Sequence, residues 1–230
     1  MSNTTKIILS FIISLFSFSF VIYNYWAFYI PSESMYPNYF EGDIVISKPL
    51  GLFDNEFEKG KSYSFKTTVN GKKVVHIKRL IATEGDIINF KSNAHNNTYS
   101  IYVNGEKINQ ERVDVKDIPE HQINGIYDYY GHLDFDFFYE TINDSTYLVM
   151  YKHHKYLDDK FINQYLMSNI EFKLGENENF FIGDNRNQSA DSRYYGVVLS
   201  ENIIYGSRKR LVNKNFLTNS NLRFFNKPSN

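Results

Sequence analysis

A chain of 230 residues, 42% hydrophobic and 22% charged, can bury one sizeable core, or one core with a large insertion. Its formal net charge of -1 gives no basic field to draw nucleic acid, and its lack of cysteine removes disulfide staples, thiolate catalysis and cysteine-ligated zinc. The 19 tyrosines and 20 phenylalanines favour strands, so the body is expected to be mainly β.

Residues 7–22 carry no charge, and the apolar run extends through Phe28 and Tyr29. At about 1.5 Å per helical residue such a run crosses a hydrocarbon core of about 30 Å, with Tyr23, Tyr25 and Trp26 where an interfacial belt belongs. A cleaved secretory leader would need small residues after the apolar core, where this chain has Tyr, Asn and Trp. A buried core helix would not be apolar on every side. The run therefore reads as one transmembrane helix. Lys6 is the charge that precedes it, which places the N-terminus in the cytoplasm and the body on the outer face.

Ile30-Pro31-Ser32-Glu33-Ser34-Met35-Tyr36-Pro37 follows a few residues later. The prolines bias Ile30 and Tyr36 towards extended geometry. In an extended segment Ser32 and Ser34 share a face and Glu33 points the other way. Two hydroxyls on one face beside a membrane suit acyl transfer, although Ser and Pro also dominate ordinary loops.

Glu41-Gly42-Asp43 before Ile44-Val45-Ile46 reads as a turn and a strand, echoed at Glu84-Gly85-Asp86-Ile87-Ile88. Asn70-Gly71 is a two-residue hairpin signal that launches Val74-Val75-His76-Ile77-Lys78-Arg79-Leu80-Ile81. On that strand Val75, Ile77 and Arg79 share one face, and Val74, His76 and Lys78 the other. Residues 91–175 differ in character. They hold an Asn104-Gly105 hairpin, an aromatic stretch around Phe135, Phe137 and Phe138 expected to be core, and helical spacing over 158–170. They read as an inserted, mainly β subdomain with one short helix. Phe180-Phe181-Ile182 is a short buried strand that runs into a polar loop over 183–196, closed by strands at 197–199 and 202–206. The expected organisation is a stub and anchor over 1–29, a catalytic antiparallel core from 30–90 plus 176–213, the insertion over 91–175, and an irregular tail over 214–230.

A serine hydroxyl needs a base. Of the six histidines only His76 lies near a candidate catalytic strand, and no spacing suggests a metal site. A lysine is the other available base. With a pKa near 10.4, only about one free lysine in a few thousand is neutral at pH 7, but desolvation lowers that value by as much as ~3–5 units. Lys78, on a strand and able to enter an apolar setting, fits. Ser189 is placed to aim its amine, and the Ser34 N–H and Ser32 hydroxyl form a natural oxyanion pair.

These residues resemble the type I signal peptidases (leader peptidases), membrane-anchored Ser–Lys endopeptidases. Pro31-Ser32-Glu33-Ser34-Met35-Tyr36-Pro37 resembles the nucleophile box. Ile77-Lys78-Arg79-Leu80-Ile81 with Gly85-Asp86 resembles the lysine box. Gly183-Asp184-Asn185-Arg186 with Ser189-Ala190-Asp191-Ser192-Arg193-Tyr194-Tyr195-Gly196 resembles the C-terminal box. The resemblance implies Ser34 as nucleophile, Lys78 as general base and then acid, Ser32 as oxyanion donor and Ser189 as the group that orients the amine. It implies Asp191 paired with both Arg193 and Arg79. Ile30, Pro31, Met35, His76 and Ile77 would line shallow pockets for preproteins with small residues at −1 and −3, taken up as an added strand. No cofactor or metal is implied; the partners are preproteins and the lipid bilayer, at the cell membrane. Many members have Gly where this chain has Glu33, which on the alternation argument points away from the hydroxyls. His76 stands where an aromatic or aliphatic residue is common. Two other readings are a peptidase with one dedicated substrate and an inactive membrane-bound scaffold, though a dead copy has no chemical need for both Ser34 and Lys78.

Overall fold

In a computed structural model the chain is described over residues 2–24, 26–49, 57–69, 71–93, 98–153 and 171–212. The β-rich expectation holds. The largest sheet has seven antiparallel strands in the order β1 (Trp26–Tyr29), β2 (Ile44–Pro49), β14 (Ile203–Val212), β3 (Ser62–Val69), β4 (Lys72–Ala82), β12 (Glu178–Ile182), β13 (Val198–Leu199).

Strand β4 organises this sheet. Gly71, at φ +77, turns the chain so that Val69 faces Lys72 and β3 pairs with β4 as far as Ser62 and Arg79. On the opposite edge, β12 pairs only with Arg79, Leu80 and Ala82. The first half of β4, up to Lys78, therefore has no strand on that edge among the described residues. Burial follows the same division, with Lys72–Val75 exposed and Lys78–Ala82 buried.

A three-stranded sheet runs β10 (Ser145–Lys152), β9 (Phe135–Ile142), β8 (Asn109–Val113). A four-stranded sheet runs β11 (Phe172–Lys173), β5 (Ile87–Asn93), β6 (Thr98–Val103), β7 (Glu106–Lys107). The Asn104-Gly105 hairpin forms as expected, with φ of +53 and +81 at the two turn residues. Both sheets share apolar cores with the rest of the chain. Ile88, Phe90, Tyr99 and Val149 pack with Ile81, Phe180 and Ile182. Phe135, Phe137 and Met150 pack with Tyr36 and Phe40, which follow the paired serines. The aromatic stretch at 135–137 is thus core.

A helix stands where none was expected, α2 (Glu120–Tyr130). Ile123, Ile126 and Tyr130 recur at helical spacing in it and pack into the core, with Ile126 fully buried, but the segment is short and otherwise polar. Gly125 lets it approach Phe40 closely, since a Cβ there would lie 2.6 Å from the Phe40 ring. The helix expected over 158–170 and the tail lie outside the described residues. At the N-terminus α1 (Asn3–Asn24) is a 22-residue helix whose Ile7 and Phe16 are 69% and 77% exposed. Over the described residues alone, no helix is long and apolar enough to cross a membrane.

Candidate active site

The nucleophile box is not extended throughout. Ser32 is extended at φ -151, ψ 164, but Glu33–Met35 form a 3-10 turn before Tyr36 returns to φ -62, ψ 143. The prolines constrain Ile30 and Tyr36 only, and the Tyr36 N–H closes the turn by donating to the Glu33 carbonyl at 3.0 Å. The serines still meet, with Ser32 Oγ donating to Ser34 Oγ at 3.3 Å. Glu33 is among the residues that line the groove, and its Oε2 accepts from the Tyr129 hydroxyl at 3.2 Å.

Lys78 reaches this turn from the point on β4 where burial begins. Its Nζ lies 2.5 Å from Ser34 Oγ, across 44 positions of sequence. The lysine is 4% exposed and the serine 7%. Burial pulls the Lys78 amine down to about 8, against the carboxylates of Asp191, Asp184 and Glu33, with the Arg193 guanidinium adding to the fall. A hydroxyl against a mostly buried amine whose neutral form is accessible near pH 8 has what proton abstraction from serine requires.

The ion pairs differ from expectation. Among the described residues Asp191 forms its ion pair with Arg193 and not with Arg79, through Nε and Nη2, both at 2.7 Å. Arg79 instead takes Asp184, with Nε to Oδ1 at 2.7 Å and Nη2 to Oδ2 at 2.5 Å, and donates Nη1 to the Gly60 carbonyl at 2.6 Å. Each planar guanidinium fork is filled by one carboxylate, so one aspartate does not serve both. Burial would raise the Asp191 carboxyl, but Arg193, the Gly183 N–H and Ser189 together outweigh it and hold the group below its usual value. Asp191 also accepts from the Gly183 N–H at 2.9 Å and caps the short helix α3 (Ser192–Tyr195).

Behind the serines three segments close on one glycine. A Cβ on Gly183 would lie 2.1 Å from Ser189 Oγ and 2.5 Å from the Ser34 carbonyl oxygen. Ser189 is buried and lacks a hydrogen bond of ordinary geometry, though it is near enough to Asp191 to help keep that carboxylate ionised. Among the described residues Lys78 Nζ is therefore hydrogen-bonded to Ser34, not to Ser189.

A groove of about 590 Å³ runs along the open edge of β4, with Ile30, Pro31, His76 and Ile77 in its walls. Met35 does not line it; this side chain is 0% exposed, and its carbonyl accepts from the Asn38 and Tyr39 N–H groups. His76 bonds to Thr67 through Nε2 at 2.7 Å, and burial, then Lys78, lower its pKa to about 4, so the ring is neutral at pH 7.

Several supports were not read from the sequence. The Asn185 N–H donates to the Ser34 carbonyl at 3.1 Å, and its Nδ2 to the Glu33 carbonyl at 3.2 Å and Tyr130 Oη at 2.9 Å. Asn38 Nδ2 donates to Asp184 Oδ2 and the Leu148 carbonyl, both at 2.7 Å. For Asp184 and Asn185 the available signal was their place in the loop that carries Asp191.

The family model for "Signal peptidase, peptidase S26" matches residues 2–211 of this chain. A signal peptidase I of Buchnera aphidicola subsp. Baizongia pistaciae (strain Bp) is 27% identical over 207 residues, covering 77% of this chain and 66% of the relative. A signal peptidase I of Aquifex aeolicus (strain VF5) is 28% identical over 205 residues, covering 77% of this chain and 72% of that protein. The chain thus matches just under two thirds of the length of the first relative. A crystal structure of a signal peptidase I from Enterococcus faecalis V583 superposes over 65% of this chain and 94% of that one, at 17% identity and a TM-score of 0.32. The family match spans most of the sequence, so the chain belongs to the signal peptidase family, peptidase S26.

Proposed function

We propose that this chain is a membrane-anchored serine endopeptidase that removes signal peptides from exported preproteins, with Ser34 and Lys78 as its catalytic pair. The observation that carries this reading is the 2.5 Å contact between Lys78 Nζ and Ser34 Oγ in a buried setting that lowers the amine's pKa. As Ser34 Oγ attacks the scissile carbonyl, its proton passes to the lone pair of Lys78 Nζ. The carbonyl oxygen takes the negative charge and accepts hydrogen bonds from the Ser32 hydroxyl and the Ser34 N–H. Lys78 then returns the proton to the departing amine nitrogen as the C–N bond breaks. Water repeats the sequence on the acyl-enzyme, with Lys78 as base, and restores Ser34. Ser189 would take up the amine once Ser34 is acylated.

The preprotein would add as a strand on the unpaired edge of β4, its small −1 and −3 side chains facing Ile30, Pro31, His76 and Ile77. Arg79 with Asp184 ties the lysine strand to the last loop, and Asp191 with Arg193 braces that loop within itself. The uncharged run at 7–22, on a helix of 22 residues, would anchor the chain in the cell membrane with its N-terminus in the cytoplasm and the catalytic body outside. Ser34 lies eight residues beyond Trp26, an extended reach of at most about 28 Å, so the site stays near the surface where a preprotein's own apolar segment ends.

Cleavage of a purified preprotein tests this. Ser34→Ala and Lys78→Ala should each lower turnover by on the order of 10⁴-fold or more. Normal processing by both variants would refute the proposal.

A further inference from the structure

The groove carries one feature that the dyad chemistry does not use. Among its lining residues Glu33 is the only acid; Lys78 is buried, and the rest are apolar or neutral. Glu33 is held from two sides. Its carbonyl accepts from the Tyr36 N–H and from Asn185 Nδ2, and its Oε2 accepts from the Tyr129 hydroxyl of α2 at 3.2 Å. Burial and the neighbouring carboxylate keep Tyr129 protonated, so it orients Glu33 without neutralising it. Among the described residues no lysine or arginine forms an ion pair with Glu33. Glu33 is the residue next to Ser34, so its charge also acts on the Lys78 amine.

We propose that Glu33 is the charge-selecting residue of this groove, favouring substrates with a lysine or arginine side chain within about three residues of the scissile bond. The range follows from geometry. Glu33 is one Cα step, about 3.8 Å, from Ser34, and an extended substrate advances about 3.3 Å per residue. A carboxylate aimed by a neutral hydroxyl and lacking its own cation is complementary to a mobile ammonium or guanidinium and repels a second carboxylate. This inference rests on the peptidase reading above.

The test uses the full-length protein in detergent micelles and a peptide set based on one signal-peptide junction. Lys, Gln or Glu is placed in turn at each of the three positions on either side of the cut. At one or two adjacent positions kcat/KM should favour Lys over Glu by about threefold to tenfold at low salt, and less at high salt. Glu33→Gln should bring the ratio towards one, and Glu33→Lys should invert it. Tyr129→Phe, which keeps the charge but frees it, should weaken the ratio. A merely structural Glu33–Tyr129 contact would slow all peptides alike and leave the ratios unchanged. Cleavage of the set with flat ratios in the wild type, or a preference that survives Glu33→Gln, overturns the assignment of Glu33 and leaves the peptidase reading standing. Failure to cleave any peptide overturns both.

Discussion

The lowered pKa of Lys78 must show in stability as well as in rate. Its amine falls from 10.5 to about 8 in the folded chain. At 1.36 kcal/mol per unit, that is about 3 kcal/mol of penalty for holding the proton in the native state. Between about pH 8 and 10.5 the unfolded chain keeps a proton that the folded chain has lost. Stability from this group therefore rises with pH across that window, and is lost again as pH falls towards 8. Lys78→Met has no such penalty but gives up the hydrogen bond to Ser34, about 1 kcal/mol. At pH 7 the variant should be the more stable by about 2 kcal/mol, and its advantage should shrink by about 3 kcal/mol by pH 10.5. Paired urea melts at pH 7, 8, 9 and 10.5 measure the difference; other groups titrating in that range are shared by both proteins and cancel. In parallel, wild-type kcat/KM should rise with unit slope and level off near pH 8, since only about a tenth of such an amine is neutral at pH 7. An activity limb near pH 10, or a stability difference that does not change with pH, would refute the reasoning.

Gly183→Ala should cost about 1–3 kcal/mol and lower activity at least a hundredfold, because backbone as well as side chain blocks the added Cβ; urea melts and peptide cleavage check both. Gly71→Ala, with open space around its Cβ but φ at +77, should cost about 1 kcal/mol in the same melts and leave kcat/KM unchanged. Ser32→Ala should reduce kcat about 10²–10³-fold with little change in KM, the mark of a donor used in the transition state. Arg193→Met leaves Asp191 unpaired in a buried site and should destabilise the fold by about 3–5 kcal/mol. It should also shift the acid limb of the activity profile to higher pH, because it removes a positive charge that lowers the Lys78 pKa and bares a negative charge that raises it.

The Ser34–Lys78 contact could be anticipated because the chemistry proposed for it restricts residue type: a serine beside prolines, and a lysine on a strand that becomes buried. The hairpin at Asn104-Gly105 was legible because two successive residues need positive φ. Partner choice was not. Asp184 and Asp191 stand in one loop with two arginines in reach, and nothing in their spacing says that Arg79 takes the first and Arg193 the second. The strand alternation argument brought Ser32 and Ser34 together for an incorrect reason, since the turn at 33–35 does so through a 3-10 geometry. Helix α2 was missed although Ile123, Ile126 and Tyr130 stand at helical spacing and pack around Tyr36 and Phe40; the run is short and its other residues are mostly polar.

The arginines resolve a conflict built into this site. Asp191 ties the Gly183 backbone to α3, and Asp184 ties Asn38 to Arg79, so both carboxylates help set the position of Ser34 relative to β4. Left bare in a dry pocket, two negative charges near Lys78 would hold its proton and remove the base. Pairing each with a two-pronged guanidinium keeps the hydrogen bonds that fix the geometry, and the Arg193 charge opposes part of the field at the amine. Burial then outweighs what remains. Glu33 has no cation of its own among the described residues, and of the three carboxylates acting on Lys78 it is the one that lines the groove. It is also the one whose charge a bound substrate can change. On the reading proposed above, the two paired aspartates set a fixed background for the amine, and Glu33 is the charge that a bound peptide would alter.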